Sequence, residues 1–271
     1  MVSPYDRVCT LLEGKNRKKG KLPDKWELIG DVLILDTDDK EIAEAYAQVL
    51  GARSVIKQIF INGELREVRS VLVWGDSNTE TLYKENRLLY KLDPSRIMLS
   101  SGNKDERIRI SRVSDSQEVC LDMFAGIGYF SLPLALRSKR VFAIEKNPFV
   151  FRYLLENIKL NGLDNLIPIL GDCRDVSLPC RVDRVMMGYL HSYQFLDTAL
   201  SSIKDEGVIH YHSLCRTGDT ETPVKELEEK ASQHGFSFKP LLKREVKSYG
   251  PKMSHIVVDG LFRKRICRLY L

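Results

Sequence analysis

The stretch CLDMFAGIGYF, Cys120 to Phe130, decides how this 271-residue chain is read. It opens as an apolar run ending on an acid, Asp122. Gly126 and Gly128 follow in a turn, and the segment YFSLPLALR then has helical character. A strand that passes through a glycine turn into a helix lets the backbone approach a ligand closely. In open α/β sheets that approach occurs beyond the carboxyl ends of the strands. Two glycines by themselves also suit a plain tight turn. The acids that follow carry the pattern further. Glu145 closes the next strand-like run, RVFAIEKN, 19 residues after Gly126. A carboxylate there accepts from the hydroxyls of a ribose. Asp172, in ILGDCRD, closes a third run, where a carboxylate accepts from an adenine exocyclic amine. Singly, each acid is as well explained by helix capping or a solvated strand end. Together they point to a nucleoside-containing cofactor.

Working outward, strand and helix signals alternate from Glu118 to the end of the chain. PFVFRYLLENIKLNG, YQFLDTALSSIKDEG and PVKELEEKASQHG read as helices between the strand-like LIPILGD, VDRVMMGY and VIHYHSL. Such alternation implies a mostly parallel sheet with helices on both faces. SFKPLLKREVKSYG and MSHIVVDGLFRK then suit an antiparallel hairpin at one edge. Upstream lies a small α+β module. Within it KEIAEAYAQVLG has helical spacing at Ile42, Ala45, Tyr46 and Val49 and stops at Gly51. Asn62-Gly63 marks a tight turn between segments rich in β-branched residues. The polar stretch GDSNTETLY breaks this texture. The expected division is a small α+β domain over 1–84, a possible tRNA contact, and a Rossmann-like catalytic domain over 85–271.

No apolar run approaches the roughly 18 residues that a membrane span needs, and the N-terminus has no apolar signal core. The six cysteines are scattered, with no CxxC pair and no histidine at zinc spacing. Reduced thiols, a cytoplasmic location and no metal are expected. The net charge of +5 says less than its distribution. Arg7 to Lys25 holds seven Lys/Arg against two acids, and Lys239 to Leu271 nine against two. Clusters of this kind form an electrostatic footprint for a phosphate backbone, or simply a solvated face.

Three carboxylates ending three successive strands resemble the class I S-adenosylmethionine (SAM) dependent methyltransferase fold. A nicotinamide enzyme more usually has a third glycine where this chain has Ser131. DMFAGIGYFSLPLA, EKNP and LLENIKLN are similar to a narrower group, the tRNA guanosine-37 N1-methyltransferases and their relatives in wybutosine synthesis. LPDKWELIGDVLIL is similar to that family's small domain, SSGNKDERIRI to the segment leading into its SAM domain, and VKSYGPKMSHIVVD to its closing strands.

One departure is informative. The N1-methyltransferases carry an Asn-Leu-Pro type of turn where this chain has Met187-Gly188-Tyr189, and the wybutosine-synthesizing aminocarboxypropyltransferases lack that turn too. The resemblance therefore implies transfer of the 3-amino-3-carboxypropyl group of SAM to C7 of 4-demethylwyosine at position 37 of tRNA(Phe), releasing methylthioadenosine. The competing readings are a guanosine-37 N1-methyltransferase with an atypical turn, and a non-catalytic RNA-binding protein on the same fold. For the cofactor it implies Ser100, Arg107, Asp122, Gly126, Gly128, Glu145, Lys146, Asp172 and Cys173. Arg107 is the candidate for the methionyl carboxylate, because a guanidinium grips a carboxylate bidentately; a surface ion pair with Asp105 or Glu106 is its plainer role. Tyr189 and His191 stand where the replaced turn should be, as catalytic candidates that stack on the base or accept a proton. Their plainer role is packing at a helix start. For the anticodon loop the expected phosphate contacts are Lys243, Arg244, Lys247, Arg263 and Lys264, with Lys15, Arg17, Lys18 and Lys19. No obligate protein partner is evident.

Overall fold

The computed structural model describes residues 2–13, 22–63, 65–99 and 101–265, and the chain divides into two compact units, Met1–Ser101 and Gly102–Leu271. In the first unit α1 (Pro4–Glu13) precedes β1 (Trp26–Ile29), β2 (Val32–Leu35), α2 (Lys40–Leu50), β3 (Ser54–Asn62) and β4 (Glu67–Gly75). The strands lie in the order β1-β2-β3-β4, and β2 pairs with β3 in parallel. Parallel neighbours need a crossover, and α2 supplies it. Asp39 starts that helix by accepting from the amides of Glu41 and Ile42 at 2.9 and 3.2 Å, and Gly51 ends it at φ +72°. Tyr46 and Ala43 of α2 share a core with Val8 and Leu12 of α1 and with Leu33, Leu35 and Val55 of the sheet.

A hairpin of β5 (Thr81–Glu85) and β6 (Leu88–Leu92) completes this unit. Thr81 Oγ1 donates to Asp31 at 2.7 Å, which ties the hairpin to the first sheet. The division expected after residue 84 falls within this hairpin, whereas the compact units divide after Ser101.

The second unit is α/β. After α3 (Lys104–Val113) come β7 (Val119–Asp122), α4 (Ser131–Ala135), β8 (Arg140–Glu145), α5 (Pro148–Asn161), β9 (Leu166–Leu170) and β10 (Val182–Met187). Next are α6 (Leu196–Ser202), β11 (Ile203–Arg216), α7 (Glu221–Gln233), β12 (Phe236–Gly250) and β13 (Met253–Lys264). One seven-stranded sheet has the order β12-β13-β11-β10-β7-β8-β9. The five strands β7 to β11 are parallel, and β12 and β13 add an antiparallel edge, as expected. Leu121, Phe142, Val185 and Ile209 belong to its buried core.

One element differs from expectation. The helical reading of residues 193–207 stops at Ser202, and β11 begins at once with Ile203 paired to Val182. Ile203 is fully buried, and Glu206 faces Arg263 of β13 across the ladder, so packing against the sheet overrides the helix pattern there.

Candidate active site

All the residues in question that the structure describes lie in the second unit. Asp122 ends β7 fully buried, and its carboxylate staples the glycine turn. Oδ1 accepts the Phe124 amide at 3.2 Å and Oδ2 accepts the Ser131 hydroxyl at 2.6 Å. Burial pushes this acid up to about 6. It therefore shapes the loop from behind, and the serine that replaces a third glycine is its partner. Gly126 and Gly128 have φ values of +58° and +103°. A Cβ on Gly128 would stand 1.7 Å from Leu132 Cδ1, so glycine is needed both for the backbone sign and for space.

Glu145 closes β8 beside this turn. Its Oε2 accepts the Gly126 amide at 2.8 Å and its Oε1 the Asn147 amide at 2.7 Å. Burial raises its pKa, yet it remains part-exposed, as a group must to meet a ligand. Asn147 in turn caps α5, accepting from Phe149 at 2.9 Å with Pro148 in the first turn, which explains the EKNP run. Asp172 lies beyond β9, where the Arg174 guanidinium holds its carboxyl well below the usual range. Lys146 reaches the same carboxylate at 3.0 Å. Cys173 is buried, and burial pushes its thiol up to about 12, so it packs as a thiol and is no nucleophile. The glycines, the acid that ends β8 and the acid beyond the third strand together fit an adenosyl group.

The turn after β10 closes the other side. Gly188 is seated on Phe130: a Cβ there would meet the ring at 2.8 and 2.9 Å. Tyr189 is half-buried, with ring centroids 5.4 Å from Phe124, 5.6 Å from His191 and 6.4 Å from Phe195. His191 is exposed, and its backbone bridges Ser213 of β11. The structure thus groups Tyr189 and His191 beside the glycine turn. Arg107 is 4% exposed on α3, so it lies buried rather than on the surface, and its neighbour Glu106 is also bonded by Arg109.

Lys243 is paired with Glu221 at 2.6 Å and Arg263 with Glu206 at 2.8 Å, both on the surface. Arg244 approaches Glu106 at 3.7 Å, and Lys264 lies over the Phe236 ring. Lys247 is half-buried on β12. Ser100, Lys15, Arg17, Lys18 and Lys19 lie outside the described residues.

Sequence reasoning missed a buried polar network behind the turn. Arg109 bonds both Glu106, at 2.6 and 3.0 Å, and Asp259, at 2.5 and 3.0 Å. His210 lies 2.6 Å from Asp259 and 2.7 Å from Arg184, which grips Glu118 at 2.8 Å. Arg184 can only donate, so Nε2 of His210 accepts and its Nδ1–H donates to Asp259. Burial raises the Asp259 carboxyl, but His210 and Arg109 outweigh it and hold the group below its usual range. The network ties α3, which carries Arg107, to β10, β11 and β13. Beside it His212 and His255 are 3.0 Å apart, and the His212 ring meets Phe130 edge to face at 5.2 Å. Among the described residues no group of His, Cys, Asp and Glu is arranged to hold a metal ion, and no helix is long and apolar enough to cross a membrane.

A seven-stranded sheet of this order, with a stapled glycine turn, an acid ending the next strand and another just beyond the one after it, defines a class I SAM-dependent transferase. Within that class the chain belongs to the TRM5/TYW2 family: the TRM5/TYW2 methyltransferase domain matches residues 81–239, and the TYW2 N-terminal domain matches residues 10–79. The chain is 44% identical to a tRNA(Phe) (4-demethylwyosine(37)-C(7)) aminocarboxypropyltransferase of Methanocaldococcus jannaschii, over 89% of this chain and 98% of that one. It is 34% identical to a tRNA (guanine(37)-N(1))-methyltransferase of Pyrococcus abyssi, over 88% of this chain and 74% of that one. The crystal structure of Pyrococcus horikoshii TYW2 in complex with MeSAdo superposes with a TM-score of 0.82 at 35% identity, covering 96% of this chain and 99% of that one.

Proposed function

We propose that this chain transfers the 3-amino-3-carboxypropyl group of SAM to C7 of 4-demethylwyosine at position 37 of tRNA(Phe), within wybutosine biosynthesis. The observation that carries this reading inside the family is the turn after β10. Neither Asn nor Pro stands between Met187 and Ser192, so no rigid polar turn faces a guanine edge. An aromatic wall of Phe124, Tyr189 and Phe195 stands there instead. SAM supplies a sulfonium that activates three carbons; attack at Cγ breaks the S–Cγ bond, leaves its electron pair on sulfur and yields methylthioadenosine.

The residues of this chain decide which carbon is presented. Glu145 holds the ribose, and Asp172 with Cys173 flanks the adenine. Arg107 grips the methionyl carboxylate and turns that arm toward the acceptor, bringing the reacting atoms to about 3–3.5 Å. Tyr189 stacks on the flipped base, and His191 takes the ring proton at an imidazole nitrogen. Lys243, Arg244, Lys247, Arg263 and Lys264 bind phosphates of the anticodon arm, so affinity for tRNA falls steeply with salt. The protein works in the cytoplasm, where tRNA is modified.

The test is product analysis with labelled SAM and tRNA carrying 4-demethylwyosine. Methylthioadenosine and an aminocarboxypropylated base are expected. S-adenosylhomocysteine with a methylated base would overturn the reading in favour of methyl transfer.

A further inference from the structure

Asp172 accepts four hydrogen bonds. Its Oδ1 takes the Arg174 backbone amide at 3.0 Å and Arg174 Nε at 2.9 Å. Its Oδ2 takes Arg174 Nη2 at 2.6 Å and Lys146 Nζ at 3.0 Å. An ionised carboxylate offers about four lone-pair sites, and these donors fill them. The exocyclic amine of an adenine is a further donor, so one of the present four has to leave when it arrives.

The four are not equally displaceable. The backbone amide of Arg174 belongs to the turn itself, which also closes through Asp175 N to Asp172 O at 3.0 Å. Lys146 reaches the carboxylate at Oδ2 with a single ammonium. The Arg174 fork covers both oxygens, so its departure opens the whole edge to another planar donor. Its side chain is 46% exposed, and its guanidinium already lies 5.0 Å over the Phe195 ring. That face holds a cation without the carboxylate. Phe195 also packs on Phe124 of the glycine turn, at 5.0 Å between centroids, so the ring is firmly placed.

We propose that Arg174 is a latch on the adenine subsite: it closes the Asp172 carboxylate until cofactor binding displaces it onto Phe195. The inference rests on the reading of Asp172 as the adenine acceptor. A latch competes with the ligand and lowers apparent affinity by the fraction of molecules in which the site stands open. Removing it therefore tightens binding, the opposite of what loss of a contact residue does. Arg174→Ala is expected to bind SAM and methylthioadenosine about three- to tenfold more tightly, for a latch closed in roughly two-thirds to nine-tenths of molecules. Arg174→Lys, which keeps the charge but loses the fork, falls between.

The experiment is calorimetric titration of the full chain, wild type and variants, with SAM and with methylthioadenosine, alongside Asp172→Asn. Tighter binding by Arg174→Ala with weaker binding by Asp172→Asn is the expected result. If Asp172→Asn weakens binding while Arg174→Ala leaves it equal or weaker, the latch is overturned and the adenine role of Asp172 stands. If Asp172→Asn binds as wild type, the adenine role fails and the latch with it.

Discussion

Two turns leave neighbouring parallel strands of the same sheet, one after β7 and one after β10, and they are built on different principles. The first is governed by backbone sign. Gly126 and Gly128 sit at positive φ, and a buried acid staples the loop through Phe124 and Ser131. The second is governed by a neighbour. Gly188 is not among the positive-φ glycines; it is small because the Phe130 ring fills the space where a Cβ would be. The turns are also locked together, since Met123 N donates to Met186 O at 3.1 Å and Phe124 packs on Tyr189. A turn required by φ holds its shape whatever packs around it. A turn required by packing is only as firm as the ring beneath it. That suits the first to a cofactor common to many reactions and the second to the acceptor, which differs among them.

Breaking the first turn gives the largest effect. Gly128→Ala places a side chain at φ +103° and 1.7 Å from Leu132 Cδ1. Backbone strain and overpacking together cost about 3 kcal/mol or more. SAM binding by calorimetry is expected to disappear, and the melting temperature to fall. Retention of wild-type affinity would show that the loop's φ values do not matter to the cofactor.

The second turn's platform makes the next test, through pH. His212 meets Phe130 and is partnered by His255; burial lowers both to about 3 from 6.5. Between those values the unfolded chain binds more protons than the fold. Their contribution to stability is therefore present above pH 6.5 and is lost as pH falls toward 3. The loss is about 1.4 kcal/mol per pH unit for the first histidine to charge. Asp122 works in the opposite sense. Raised to about 6 from 3.8, it makes the fold the better proton binder in that window, so its share of stability grows as pH falls. The histidine part is read as the difference between wild type and His255→Asn. Melting curves from pH 6.5 to 4.5 should fall less steeply in the variant, and identical slopes would refute the assignment.

The same contrast explains what was legible in the sequence. Asp122, Glu145 and Asp172 could be placed because strand ends and glycine turns are local patterns, and the mostly parallel sheet follows from the alternation of strands and helices. Ser131 bonds Asp122 from only nine residues away, but that Phe130 underlies Gly188 depends on how a helix start folds back over a strand 58 residues further along the chain. Nothing local marks it. Glu106, Arg109 and Asp259 were equally hidden, because a charge on a helix reads as solvated until a strand 150 residues later supplies its partner. The one available hint was Asp259 itself, an acid inside the apolar run IVVDGLF. Arg174 was passed over for a different reason: it lies in the irregular turn after β9, where no helix or strand period says which side chains meet.

Sharpening the second turn gives the smallest effect and the most specific one. In Gly188→Ala the added methyl meets Phe130 Cε2 and Cδ2 at 2.8 and 2.9 Å, atoms of a side chain and not of backbone. The ring, packed edge to face with His212, gives a few tenths of an ångström at a cost of about 1 kcal/mol. None of the atoms nearest that methyl belongs to Glu145, Asp172, Gly126 or Gly128, so SAM affinity should be unaltered. What shifts is the wall that carries Tyr189 and His191. Turnover on tRNA is therefore expected to fall about fivefold, the rate equivalent of that energy, with SAM binding unchanged. An equal loss in SAM affinity would mean that the two turns act as one unit, and that the acceptor wall cannot be rebuilt without disturbing the cofactor.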